Sequence, residues 1–343
     1  MIAITKDFED YNFLSEVDSL EFISDAESVD VKLYYDDVVI LDETYIPDNR
    51  GKVILRDLIP MFESYMNGLI DDYFSYHISD ISSDVQKSFT IQYCRAQCPL
   101  SAREFLSSYF LTTLMGDKQT AMACKEFISY LITTDSDVWC NATYADEKTL
   151  QVTSSRTKVL TCATLNRIIT TDVSPSLFAS EGKKLIMYEI ELGQRKQKYV
   201  VTEVADWSLG FIFENSFGVR ETFYCRAVTE TSSEYDRSGT YINGSFSNYR
   251  VEEQKIFKSN TGPLQVQELD WLEDLLRSPA IVLLNKNMVD GPIVITSSEA
   301  KRKDEYDALP SYSIEYRFAD RHQNKIKIPI NKTFDQTFDY TFS

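Results

Sequence analysis

FIFENSFGVRETFYC, residues 211–225, reads as two short aromatic strands around a tight turn. Gly218 stands where a hairpin of three to five loop residues needs a left-handed backbone. Phe211 and Phe213 point to one side and Ile212 to the other, as in a strand covered on both faces. The hairpin therefore reads as core rather than as a binding site or an open edge. Working outward, KKLIMYEIELG and QKYVVTEVADWSLGFIFEN precede it as further strand candidates, with Gly182 and Gly193 at turns. Short strands at roughly ten-residue spacing imply stacked sheets.

The same pattern recurs toward the N-terminus. In SVDVKLYYDDVVILDETYIPDNRGKVIL, residues 28–55, Val29, Val31, Leu33 and Tyr35 alternate with Asp30, Lys32 and Tyr34. That is period two, with one face turned inward. Asp36-Asp37 marks one turn and Pro47 to Gly51 another, where Pro presets φ and Gly accepts a positive φ. A helix follows at residues 57–67, with Asp57 placed to cap it and Pro60 in its first turn. Its apolar face is Leu58, Met61, Phe62 and Tyr65. A second helix is predicted at residues 264–277, where Leu269, Leu272, Leu275 and Leu276 line one face. Acid sits early in it, Arg277 late, and Ser278-Pro279 stops it. Beyond it, AIVLL is a strand, Asp290-Gly291-Pro292 a turn, and YSIEYRFADR an alternating strand. SAREFLSSYFLTTL and KQTAMACKEFISYLIT fit helix and strand equally well.

The fold class that follows is mainly β: a multi-domain chain of β-sandwich-like modules with a few short helices. The expected division is an N-terminal module over 1–85, a mixed α/β segment over 86–155, a central sandwich over 156–260, and a helix-plus-β module with an extended tail over 261–343. A chain of 343 residues, 43% apolar, has room for several cores. Its 21 Tyr and 20 Phe against 11 Gly favour strands over flexible linkers.

Composition also bounds function. A net charge of −18 repels phosphate, which argues against a nucleic-acid partner. No run approaches the roughly 20 apolar residues of a membrane span. The N-terminus, MIAITKDFEDYNF, lacks the basic and apolar regions of a secretory signal, so cytoplasmic synthesis is expected. Cys94, Cys98, Cys124, Cys140, Cys162 and Cys225 are scattered, as reduced structural thiols are. With only His77 and His322, zinc lacks ligands and a nucleophile lacks a base. Both histidines read as solvated loop residues. The 53 acids include dense spots at Asp71-Asp72, Asp135/Asp137 and Glu252-Glu253, but none is marked as a glycosidase pair. Asp135-Ser136-Asp137 lacks the later Gly and Glu of a calcium loop, and no phosphate-binding Gly motif is present. No catalytic residue, cofactor or metal is expected.

Two stretches carry candidate interaction residues. SSEYDRSGTYINGSFSNYR holds Tyr235, Tyr241, Phe246 and Tyr249 among Ser, Gly and Asn, with Asn243-Gly244 as a hairpin signal. Aromatics with adaptable polar neighbours suit protein docking or sugar stacking. The plainer alternative is a hairpin with its aromatics packed on one face. The tail, KIKIPINKTFDQTFDYTF, alternates Ile326, Ile328 and Ile330 with Lys327 and Pro329, an edge-strand pattern. It then places Phe334, Phe338, Tyr340 and Phe342 on an acidic end.

Three phrases together carry a family resemblance: DETYIPDNRGKVILRDLIPMFESYM, FENSFGVRETFYCRAV, and LDWLEDLLRSPAIVLL followed by GPIVITSS and YSIEYRFADR. The arrangement resembles uncharacterised β-rich proteins encoded in phage and prophage tail-structure clusters of gut bacteria. Residues 68–150 match least well. The resemblance implies a non-enzymatic, virion-associated structural protein that self-associates or docks on partner proteins. The alternative is a glycan- or receptor-binding adhesin module, resting on residues 235–249.

Overall fold

The computed structural model describes residues 1–66, 71–132, 135–162, 167–203, 209–226, 229–286, 288–299 and 310–320. It is a mainly β chain with several sheets. In the N-terminal part the strands are β1 (Ala3–Lys6), β2 (Tyr11–Phe13), β3 (Leu20–Ile23), β4 (Val29–Tyr35), β5 (Val38–Tyr45) and β6 (Lys52–Leu55). Helix α1 (Leu58–Met66), β7 (Asp71–Ser79) and β8 (Asp84–Gln92) follow. A three-stranded sheet, β1-β3-β6, faces a five-stranded one, β2-β8-β7-β4-β5, across one core. The alternation in β4 buries Val29, Val31 and Leu33, and α1 closes the core with Phe62 against Phe74 and Phe89. Asp36 and Gly51 take positive φ at the two turns. Asp57 also takes a positive φ, and the carbonyl of Asp18 accepts from the Leu58 N–H.

The middle holds α2 (Ala102–Ser108), β9 (Lys118–Thr120), β10 (Phe127–Ile132), β11 (Ser136–Asp146), β12 (Val152–Cys162), β13 (Arg167–Asp172), β14 (Lys183–Leu192) and β15 (Arg195–Val201). The two ambiguous stretches resolve into both element types. Ser101 and Glu104 form a capping box that starts α2, and the chain becomes extended at Tyr109. Strands order as β12-β11-β14-β15-β9, with the β10-β13 ribbon packed on them around Tyr130, Tyr188 and Tyr199.

The last part contains β16 (Leu209–Glu214), β17 (Arg220–Cys225), β18 (Thr229–Ile242), β19 (Ser245–Asn260), α3 (Val266–Arg277), β20 (Ile281–Asn285), β21 (Met288–Glu299) and β22 (Ser313–Phe318). They form one sheet, β17-β16-β20-β21-β22-β19-β18, which takes strands from both sides of residue 260. The hairpin of residues 211–225 is core, with Phe211, Phe213, Phe223 and Cys225 buried under α3 and Gly218 at a positive φ. Leu272 and Leu275 of α3 are fully buried here, each contributing about 1.5–3 kcal/mol of apolar transfer. Gly210 lies flat beneath the ring of Tyr224; a Cβ there would meet that ring at 2.6 Å.

Two sequence readings are corrected. Asp290-Gly291-Pro292 is not a turn. The chain reverses at Lys286, and residues 290–292 lie inside β21, where the register shifts by one residue opposite Leu283/Leu284. The bulge, not a reversal, uses the Gly. His77 is not a loop residue: it lies on β7, where its Nε2 pairs with Asp84 of β8. His322 lies outside the described residues.

Candidate functional site

The candidate interaction residues of 235–249 stand on a two-stranded arm. β18 and β19 pair along their whole length, but β19 meets β22 only from Phe257 to Asn260. From Ser232/Ile256 to the tip the ribbon has no further strand beside it among the described residues, a reach of roughly 35 Å at the usual rise per strand residue. The tip turn is set by Asn243 and Gly244, both at positive φ, the combination that matches the twist of a two-residue hairpin. At the root, Phe257 stacks on Tyr316, Thr229 Oγ1 lies 2.9 Å from Ser259 Oγ, and Lys258 pairs with Glu315.

Register brings Tyr241 opposite Phe246, and Tyr235 opposite Glu253. Tyr241 and Phe246 meet edge to face at 5.3 Å, and Phe246 leans over Gly239. The Arg237 guanidinium lies over Tyr235, whose hydroxyl donates to Glu253. Tyr249 is the extra residue of a β-bulge, since Ser238 pairs with Arg250 and Gly239 with Asn248. A bulge re-aims a side chain. None of the four is covered: exposure is 46% for Tyr235, 75% for Tyr241, 62% for Phe246 and 68% for Tyr249. Ile242 and Val251, which the sequence reading passed over, are exposed on the same arm. Exposed apolar groups gathered in this way mark contact surfaces. The tail residues Phe334, Phe338, Tyr340 and Phe342 lie outside the described residues.

Two other places hold polar groups together. The first is a buried junction. Lys118 Nζ sits 2.7 Å from Glu126 Oε2, donates to the carbonyl of Thr222, and rests 4.7 Å above the Trp271 ring. Glu126 also accepts from the hydroxyls of Thr120 and Thr222. Nearby, Glu221 accepts from Thr112 Oγ1 and Asn215 Nδ2, and burial raises its pKa above the usual carboxylate value. Every carboxylate oxygen here has a donor, and the cluster ties β9 to β17 and α3. Sequence gave no signal for it, because its members are scattered from residue 112 to residue 271.

The second is an open cleft of about 780 Å³ beside α3, lined among others by Cys98, Phe105, Tyr109, Met115, Asp270 and Asp274. Asp274 accepts from Thr113 and Ser216, and Glu273 pairs with Arg277. Among the described residues no group of three or more metal-ligating side chains gathers anywhere, and no helix is long and apolar enough to cross a membrane.

No family model matches the chain. No curated protein matches it either. Among solved structures, one described as structural insight into host cell surface retention of a 1.5-MDa bacterial ice-binding adhesin aligns over 76% of this chain and 91% of its own, at 11% identity and a TM-score of 0.18. At that score the likeness carries no argument about fold or function.

Proposed function

We propose that this chain is a non-enzymatic assembly protein that docks on protein surfaces, its own copies included, through the β18–β19 arm. The observation that carries this reading is the arm itself: about ten residue pairs of unsupported ribbon holding Tyr235, Tyr241, Phe246 and Tyr249 in solvent. Two-stranded ribbons are marginal alone, so the exposed rings are held at a cost that docking repays. Tyr is suited to such a role because it offers a large rigid contact area at low entropy cost. The sequence resemblance to phage-tail proteins supports a virion-associated setting, in which such arms would reach neighbouring subunits.

The test compares the full chain with a variant carrying Tyr235→Ser, Tyr241→Ser, Phe246→Ser and Tyr249→Ser. Sedimentation velocity at micromolar concentration, with electron micrographs, reads the outcome. The expected result is oligomers in the parent that lose at least tenfold in association in the variant, with an unchanged thermal midpoint. Identical behaviour of the two proteins removes the reading. Asn248 and Arg250 beside these rings also suit sugar stacking. Binding on a glycan array that the serine variant loses would replace docking on protein with an adhesin role.

A further inference from the structure

We infer that copies of this chain join head to tail, with β12 of one copy adding to the open edge of β5 in the next. The inference deepens the assembly reading above and rests on it. Among the described residues each strand is the last of a five-stranded sheet. An edge strand leaves a row of unpaired backbone N–H and C=O groups, which natural proteins blunt with Pro, short length, bulges or charge. Pro and short length are not used here; charge and one bulge are, so only an edge of opposite charge is admitted. β12 runs for 11 residues and β5 for 8, both without Pro or Gly. Each has one bulged residue, Val159 in β12 and Ile40 in β5. Straight segments remain at 152–158 and 41–45, of ordinary strand length.

The two edges are opposite in charge. Residues 36–49 carry Asp36, Asp37, Asp42, Glu43 and Asp48 and no Lys or Arg. β12 itself carries Arg156 and Lys158 and no Asp or Glu, as β5 carries Asp42 and Glu43 and no Lys or Arg, in a chain whose net charge is −18. Such opposition favours β12 against β5 and opposes β5 against itself, because like charges facing across strands are destabilising. Lys32 on Asp42, Glu191 on Arg156 and Asp137 on Lys158 are pairs within one copy, all part-exposed and able to share a second partner. Exposed apolar side chains flank both strands, Val38 and Val39 on one and Val152 and Leu160 on the other. The patches differ, so the contact is heterologous and produces rings or filaments according to whether its rotation closes. Both sheets would then run on as one across each contact.

The experiment uses the full chain in the four-serine arm background, which isolates the edge contact. Sedimentation there should still show concentration-dependent association, weakened by salt. Asp42→Lys/Glu43→Lys should lower the association constant at least tenfold, and so should Arg156→Glu/Lys158→Glu. An equimolar mixture of the two variants should associate again, because each then meets an opposite edge. Circular dichroism controls for folding. A monomeric arm variant beside an associating parent overturns the edge contact and leaves the arm reading standing. Parent and arm variant that associate alike, both disrupted by the edge changes, do the reverse. Association that ignores the edge charges, or a mixture that stays apart, overturns the inference.

Discussion

The seven-stranded sheet has two ends that obey different rules. At the β17-β16 end, α3 and the buried Lys118–Glu126 pair cover the strands, and nearly every side chain touches others. At the β19-β18 end the same sheet runs out into solvent, and its aromatics touch little besides their cross-strand partners. An aromatic strand sequence thus specifies pairing but not coverage. Coverage depends on what packs across the sheet, and among the described residues a helix does so at the first end alone.

The largest way to break this contrast is at the covered end. Lys118→Ala leaves Glu126 buried without its cation, and should cost about 3–5 kcal/mol in urea unfolding. A loss below 1 kcal/mol would mean that the junction is wetter than its packing implies. A paired glycine test comes next. Gly210→Ala drives a methyl into the ring of buried Tyr224, whose hydroxyl accepts from the Lys125 N–H, and should cost about 1–3 kcal/mol. Gly239→Ala meets the far edge of exposed Phe246 and the side-chain oxygen of exposed Asn248, both of which swing aside, so a change within about 0.5 kcal/mol is expected. Equal effects at the two glycines would erase the distinction between the ends.

A subtler measure is pH. Burial raises Glu221 above its ordinary value of 4.5, so the folded chain holds a proton that the unfolded chain releases. Its contribution is fully present below 4.5 and is lost as pH rises through the raised value. Urea unfolding of Glu221→Gln across this window should show a flatter decline than the parent. Parallel curves would place solvent beside the carboxylate. The smallest effect belongs to the arm: each of the four aromatic-to-serine changes should shift stability by no more than about 0.5 kcal/mol.

Much of this architecture was legible in the sequence. Period-two alternation located β4 and β22 because each has one wet face and one dry face, and Leu spacing located α3 for the analogous reason at period 3.6. Asn243-Gly244 announced the arm's tip because few other pairs accept two positive φ values. Three features escaped. Residues 290–292 carry turn chemistry, yet a bulge uses a positive-φ Gly as readily as a reversal does. The α2 region was ambiguous because its helix is only seven residues long and shares its apolar spacing with strand-like FLTTL. The exposure of the arm was undecidable from alternation, since a ribbon with one aromatic face reads the same with or without a covering layer.

The burial of most thiols has a practical corollary. Desolvation pushes Cys94, Cys124, Cys140 and Cys225 up to about 12, so at neutral pH these four hold almost no reactive thiolate, while Cys98 stands partly open at the cleft beside α3. A maleimide dye added to the native chain should therefore settle at that position first, giving a fluorescent reporter without engineering.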